Sequence, residues 1–134
     1  METDQHQAQK NRYGHEIVPF DSVQEAWFWF IQAQQARNEG ARFSAGCGLV
    51  PRPCEPVDIL NILGRLHRQR MLSRDHLLVL RHYGRRQMAP DRYRAKEVRA
   101  YHIWYEALER MQPALERKGI VAPQENSFTL MAAE

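Results

Sequence analysis

The sequence lacks the features of a membrane-spanning or secreted protein. No apolar run approaches the ~20 residues that cross a lipid bilayer, and the longest one, residues 26–31, is far too short. The chain begins Met-Glu-Thr-Asp-Gln-His, without the basic-then-apolar order of a secretory signal, which predicts a cytoplasmic location and no membrane partner. The two cysteines, Cys47 and Cys54, are therefore expected to be reduced thiols.

Motifs for metal binding and catalysis are also scarce. The possible zinc ligands follow no usual spacing and include no Cys-x-x-Cys pair; they are Cys47, Cys54, His67, His76 and His82. We interpret the cysteines as ordinary loop thiols, with structural zinc as the alternative, and His76 and His82 as polar helix edges or, when protonated, phosphate contacts. There is no phosphate-binding glycine loop, nucleophile elbow or His-Glu-x-x-His sequence. We therefore predict a protein that is not an enzyme and uses no cofactor.

What the 134 residues do contain is enough hydrophobic sequence for one packed domain. Hydrophobic residues make up 43% and charged residues 26%, proportions that argue against wholesale disorder. We predict a flexible N-terminal arm over residues 1–19, a single helical domain over 20–119 and a flexible C-terminal tail over 120–134.

Amphipathic periodicity predicts an all-α fold, a small bundle of about four helices. The first helix is expected to begin at Ser22, in a capping box with Glu25, and to run to about Asn38 before Gly40 ends it. One face of this helix carries an apolar stripe, Val23, Trp27, Phe30 and Ile31.

Further aromatic residues lie outside that stripe. Phe28 and Trp29 are the candidates for a partner-binding surface, which could also join two copies of the chain. A second group, Tyr101, Trp104 and Tyr105, could stack unpaired bases if it lay beside arginines. Packing in the core is the simpler explanation for most of these rings.

The other three helices follow an irregular loop rich in glycine and proline, residues 40–56. They are predicted from Pro56 to about Gln69, from Ser73 to Gly84, and from Asp91 to Gly119 with a kink or break at Pro113. The second helix should bury Ile59, Leu60, Leu63 and Leu66.

Charge is distributed very unevenly along the chain. Residues 65–99 contain eleven basic and three acidic residues, a formal charge of +8, whereas residues 1–63 carry −3 and residues 100–134 carry −2. Six cations cluster around the predicted start of the fourth helix: Arg85, Arg86, Arg92, Arg94, Lys96 and Arg99. The positive end of a helix dipole makes such a cluster unfavourable unless an anion binds there.

This cluster predicts a nucleic-acid-binding surface, with DNA as the first candidate. The alternatives are an adaptor whose basic face binds an acidic protein, and a solvated face whose arginines pair with the acidic segments. A homo-oligomeric structural protein is the third possibility.

One stretch also resembles a known family. Leu72-Ser-Arg-Asp-His-Leu-Leu-Val-Leu-Arg-His-Tyr-Gly84 resembles the first helix of the helix-turn-helix domain of sigma factors (their region 4) and of related phage late-transcription regulators. The sequence Ala107-Leu-Glu-Arg-Met111 is similar to the end of that domain. The resemblance covers residues 71–111 and implies transcription regulation, with promoter DNA or RNA polymerase as partner. The family places two helices after the Tyr-Gly, where one helix is predicted here, so no base-reading residue is assigned.

Overall fold

The computed structural model describes residues 17–40 and 52–124, which form four α-helices and one short 3₁₀ helix. The α-helices are α1 (Val23–Asn38), α2 (Pro56–Arg68), α3 (Arg74–Arg86) and α4 (Val98–Arg117), and the 3₁₀ helix is Ala95–Glu97. Within the described residues the only β pairing is an isolated bridge between Phe20 and Val121. The predicted all-α fold is confirmed. Most of the predicted N-terminal arm and of the glycine- and proline-rich loop, including Cys47, lies outside the described residues.

Three helices begin at the positions that the sequence predicts. The Ser22 hydroxyl accepts a hydrogen bond from the Glu25 amide at 3.1 Å, and the Ser73 hydroxyl accepts one from the His76 amide at 3.2 Å. The first residue of α2 is Pro56, which has no amide hydrogen to leave unsatisfied. The predicted starts of α1, α2 and α3 are therefore confirmed.

Each of the four α-helices is followed within two residues by a residue in the left-handed conformation, namely Gly40, Arg70, Gln87 and Gly119. The predicted end of α3 at Gly84 is wrong, because the helix continues to Arg86 and Gln87 adopts a φ of 55°. The Gln87 side chain compensates for this conformation, since its Nε2 donates to the carbonyl oxygens of Gly84 at 2.7 Å and Phe28 at 3.2 Å. This second bond also ties the end of α3 to α1.

The core is built mainly from α1, α3 and α4, with α2 packed against α1 and α4. The apolar stripe predicted for α1 is buried throughout. In α2, however, Ile62 is buried while Leu60 is 45% exposed, contrary to prediction. Ile59, Ile62 and Leu66 are spaced three and four residues apart and share one face, whereas Leu60 points about 100° away from Ile59.

The predicted start of the fourth helix at Asp91 is wrong. Asp91 caps a turn instead: its Oδ1 accepts from the Tyr93 amide at 2.8 Å, and its own amide donates to Glu97 Oε1 at 2.8 Å. These two bonds hold a compact segment that leads through the 3₁₀ helix into α4 at Val98. We call residues 91–97 the basic turn.

The last helix is not broken at Pro113, so of the predicted kink or break the second alternative is wrong. It continues through Pro113 to Arg117 and ends at Gly119, as predicted. Proline removes only one donor here, and the buried Met111, Ala114 and Leu115 hold the helix against the core on both sides of it.

Packing extends beyond residue 119. Ile120 and Val121, assigned from the sequence to the flexible tail, are 2% and 1% exposed. Phe20 is fully buried beside them, and its amide donates to the Ile120 carbonyl at 2.9 Å while its carbonyl accepts from the Ala122 amide at 2.8 Å. The two ends of the packed region are therefore joined.

Helices α1 and α3 approach each other closely at Gly84. A Cβ atom on Gly84 would lie 2.7 Å from Trp27 Nε1 and 2.8 Å from Ile31 Cγ1. Trp27 cannot easily move away, because it is buried and its Nε1 donates to the Leu80 carbonyl at 2.9 Å. Only glycine fits at this position.

We predict that Gly84→Ala lowers the free energy of unfolding by ~1–3 kcal/mol, the usual cost of overpacking a core. Gly64→Ala in α2 is the matched control, because its Cβ would meet only the Arg68 guanidinium at 3.4 Å. That substitution should stabilise by up to ~1 kcal/mol through helix propensity. Urea denaturation measures both effects, and stabilisation by Gly84→Ala would contradict the close contact.

Candidate functional site

The acidic residues within the +8 segment are engaged in local structure. Glu97 is held in the basic turn, where Oε1 accepts from the Asp91 amide and Oε2 lies 3.4 Å from Arg94 Nη1. Asp75 at the start of α3 lies 3.3 Å from Arg99 Nη2. The described ion pairs therefore engage only two of the eleven cations with acids inside this segment.

The six predicted cations are all exposed, but their setting differs from the prediction. Because α4 begins only at Val98, Arg92, Arg94 and Lys96 lie in the basic turn, with Lys96 in its 3₁₀ helix, and Arg99 alone belongs to α4. Arg85 and Arg86 belong to the last turn of α3, where the helix dipole favours cations. The expected conflict with the positive end of a helix dipole therefore does not arise for most of them.

Helix α3 adds two cations, Arg74 and Arg81, that were not singled out from the sequence. Arg74, Arg81 and Arg85 share one face with Leu78, and all four are exposed. The ion pair between Asp75 and Arg99 brings the start of this helix next to the start of α4. Helical spacing alone could have revealed this stripe.

A row of flat side chains lies beside the basic turn. The guanidinium carbon of Arg92 is 5.2 Å from the ring centroid of Tyr93 and 5.7 Å from that of Tyr101. The Tyr101 ring in turn lies 4.8 Å from that of Tyr105, with an angle of 56° between the ring planes. We call Arg92, Tyr93, Tyr101 and Tyr105 the tyrosine platform.

Two rings of the platform are open to solvent, while Tyr101 is partly buried. Tyr93 is 84% exposed and Tyr105 is 42% exposed, whereas Trp104, grouped with the stacking candidates in the sequence, is completely buried. Tyr93 was missed because it stands outside any apolar stripe. The available signal was its position between two arginines, Arg92-Tyr93-Arg94.

Phe28 and Trp29, the predicted partner-binding residues, are partly buried against the core. The Phe28 ring lies 5.7 Å from that of Trp104, and the Trp29 ring lies 5.2 Å from that of Phe20. Both rings thus contribute to packing within the chain, and their role toward a partner stays a prediction.

His76 is buried rather than placed at a polar edge. Its Nδ1 accepts from the Ser73 amide at 2.9 Å, so Nε2 carries the proton and donates to Glu106 Oε1 at 2.7 Å. Glu106 also pairs with Arg110 at 3.4 Å. His76 therefore joins α3 to α4 and does not contribute to the exposed cationic surface, whereas His82 is exposed.

Cys54 lies partly buried against the core. Burial, reinforced by the negative charges of Asp58 and Glu55, raises the pKa of its thiol to about 12. The thiol stays protonated at neutral pH and is a poor nucleophile and metal ligand. Among residues 17–40 and 52–124, no three potential metal-ligating side chains cluster.

Comparison with protein-family models, curated proteins and solved structures finds no match. The resemblance to sigma factors therefore stays a prediction. Within the described part of the chain, a single α-helix follows α3, and no helix there has the length and apolar character needed to span a membrane.

The contact between His76 and Glu106 predicts a pH effect on stability. The hydrogen bond from His76, and then the charge of Arg110, hold the pKa of Glu106 below its ordinary value near 4.5. A lowered folded-state pKa stabilises the fold above pH ~4.5, and the contribution is lost as pH falls through the lowered value. Glu106→Gln should therefore destabilise at neutral pH and flatten the loss of stability below pH ~4.5.

The matched control is Glu109→Gln, which removes one carboxylate from the same helix at an exposed position without an ion pair among the described residues. Thermal melts between pH 3 and 7 compare the two variants with the parent protein. An unchanged pH profile in Glu106→Gln would refute the contribution of this contact.

Proposed function

We propose that this protein is a non-enzymatic nucleic-acid-binding protein. The binding surface would consist of the basic turn and the adjoining ends of α3 and α4. Its cations are Arg85, Arg86, Arg92, Arg94, Lys96 and Arg99.

The observation that carries the proposal is the engagement of Asp75, Asp91 and Glu97. Asp91 and Glu97 form the hydrogen bonds that shape the turn, and Asp75 pairs with Arg99. Arg85 and Lys96 are exposed and have no ion pair among the described residues. Each further cation on this surface raises the electrostatic free energy unless an anion binds there.

A phosphodiester backbone is well suited to neutralise these cations. Its charges are closely and regularly spaced, and each phosphate contact releases condensed counterions. Arginine and lysine at every second position of an exposed turn, Arg92, Arg94 and Lys96, can reach neighbouring phosphates without base-specific contacts. The cytoplasm stays the predicted compartment, and a role in transcription would follow only if the resemblance to sigma factors holds.

An acidic protein is the competing partner, because carboxylates would also neutralise the surface. Nucleic acid is favoured because aromatic rings lie among the cations: Tyr93 stands between Arg92 and Arg94 and is 84% exposed. Exposed rings of this kind can stack on the flat bases of a ligand that also carries negative charge.

We predict that the triple variant Arg92→Gln, Arg94→Gln, Lys96→Gln keeps its helicity and loses ~10- to 100-fold in affinity for nucleic acid at ~50 mM salt. The slope of log affinity against log salt should flatten by about 2 to 3, since each lost phosphate contact contributes ~0.7 on single strands and ~0.9 on duplex DNA. Fluorescence anisotropy with labelled oligonucleotides at several salt concentrations measures both quantities.

A matched control removes three exposed cations near the C-terminal ends of α1 and α4, Arg37→Gln, Arg117→Gln and Lys118→Gln. It changes the net charge equally and should retain most of the affinity and the salt slope. If the parent protein shows no salt-sensitive affinity for any nucleic acid at ~50 mM salt, the proposal fails and an acidic protein becomes the first candidate.

A further inference from the structure

Phosphate binding alone does not account for the aromatic rings of the tyrosine platform. Neutralising a polyanion requires cations alone, yet the guanidinium of Arg92 contacts the rings of both Tyr93 and Tyr101, and the Tyr105 ring packs against that of Tyr101. Tyr101 and Tyr105 are four residues apart on α4 and therefore share one face of that helix.

Packing does not explain the position of Tyr93. The side chain is 84% exposed, so its ring buries little apolar surface. The backbone beneath it is nevertheless fixed, because its amide donates to Asp91 Oδ1 at 2.8 Å and the Asp91 amide is held by Glu97. A rigid turn thus presents an aromatic ring to solvent between two arginines.

We infer that the tyrosine platform stacks the unpaired bases of a single-stranded nucleic acid, an inference that rests on the function proposed above. Base faces would lie against Tyr93 and Tyr105, while Arg94 and Lys96 contact the phosphates that link those bases. Aromatic stacking tolerates any base, because every base has a π face, and Arg92 adds a cation–π contribution.

Duplex nucleic acid fits this geometry less well. The faces of its bases are covered by their neighbours, and only their edges are open in the grooves. Reading those edges commonly places the first residues of a helix in the major groove. Here the 3₁₀ helix Ala95–Glu97 directly precedes α4, and the Glu97 carboxylate lies at the start of α4.

The test compares single-stranded oligo(U) and oligo(dT) of twelve nucleotides with a duplex of twelve base pairs of mixed sequence. The parent protein should bind both single strands more tightly than the duplex, because the stacking face is common to RNA and DNA. Tyr93→Ala and Tyr105→Ala should each weaken single-strand binding by roughly fivefold or more, the usual effect of losing one stacking ring. Their salt slopes should stay unchanged, since no phosphate contact is removed.

Two controls isolate the stacking contribution. Tyr93→Phe keeps the ring and should bind within about twofold of the parent protein. Met88→Ala removes an exposed apolar side chain near the basic turn, 60% exposed, and should also leave affinity unchanged. Circular dichroism melts of the Tyr93 and Met88 variants should match the parent, because both side chains are mostly exposed. Tyr105→Ala should melt at a lower temperature but stay folded, because Tyr105 is only 42% exposed and its ring packs against Tyr101.

The outcomes separate this inference from the proposed function. If the Arg92, Arg94 and Lys96 variant loses binding while Tyr93→Ala and Tyr105→Ala bind like the parent, the platform does not stack bases and the proposed function survives. Tighter binding to the duplex than to either single strand would also overturn the inference. Absence of salt-sensitive binding to all three oligonucleotides would overturn both.

Discussion

The arrangement of the helices depends on the close approach of α1 and α3 at Gly84. The indole of Trp27 occupies the space that a side chain at position 84 would need, and its Nε1 donates to the Leu80 carbonyl. This contact brings the middle of α1 against the second half of α3. The fully buried Trp104 of α4 then packs against both, with its ring 5.7 Å from Phe28 and 6.2 Å from Tyr83.

The same packing determines where the basic turn lies. Gln87 ties the end of α3 to the Phe28 carbonyl, and Trp104 fixes α4 by donating from Nε1 to Gln24 Oε1 at 3.1 Å. The connection between these helices passes the buried Pro90 and is then shaped by the hydrogen bonds of Asp91 and Glu97. Asp91 and Glu97 thus form hydrogen bonds with the backbone of the turn, and the cations and Tyr93 face solvent.

Local signals predicted the helices well, and two of the errors arose where distant residues intervene. The caps at Ser22 and Ser73 and the stripe of α1 depend on neighbouring positions, which the sequence displays. The end of α3 depends on a bond from Gln87 to α1, and the burial of His76 depends on Glu106, thirty residues away. The cations of the candidate site could be predicted from their clustering. The tyrosine platform could not, because the contact between Arg92 and Tyr101 depends on α4 beginning at Val98 instead of Asp91.

The most direct test of this view is an NMR titration of the ¹⁵N-labelled full chain with single-stranded oligo(U). If the basic turn and the platform form the binding surface, the largest amide shifts will map to residues 91–105 and to the exposed face of α3, with little change in α2. Shifts confined to α2 or to the surface around Phe28 and Trp29 would contradict it, as would an unchanged spectrum at low salt.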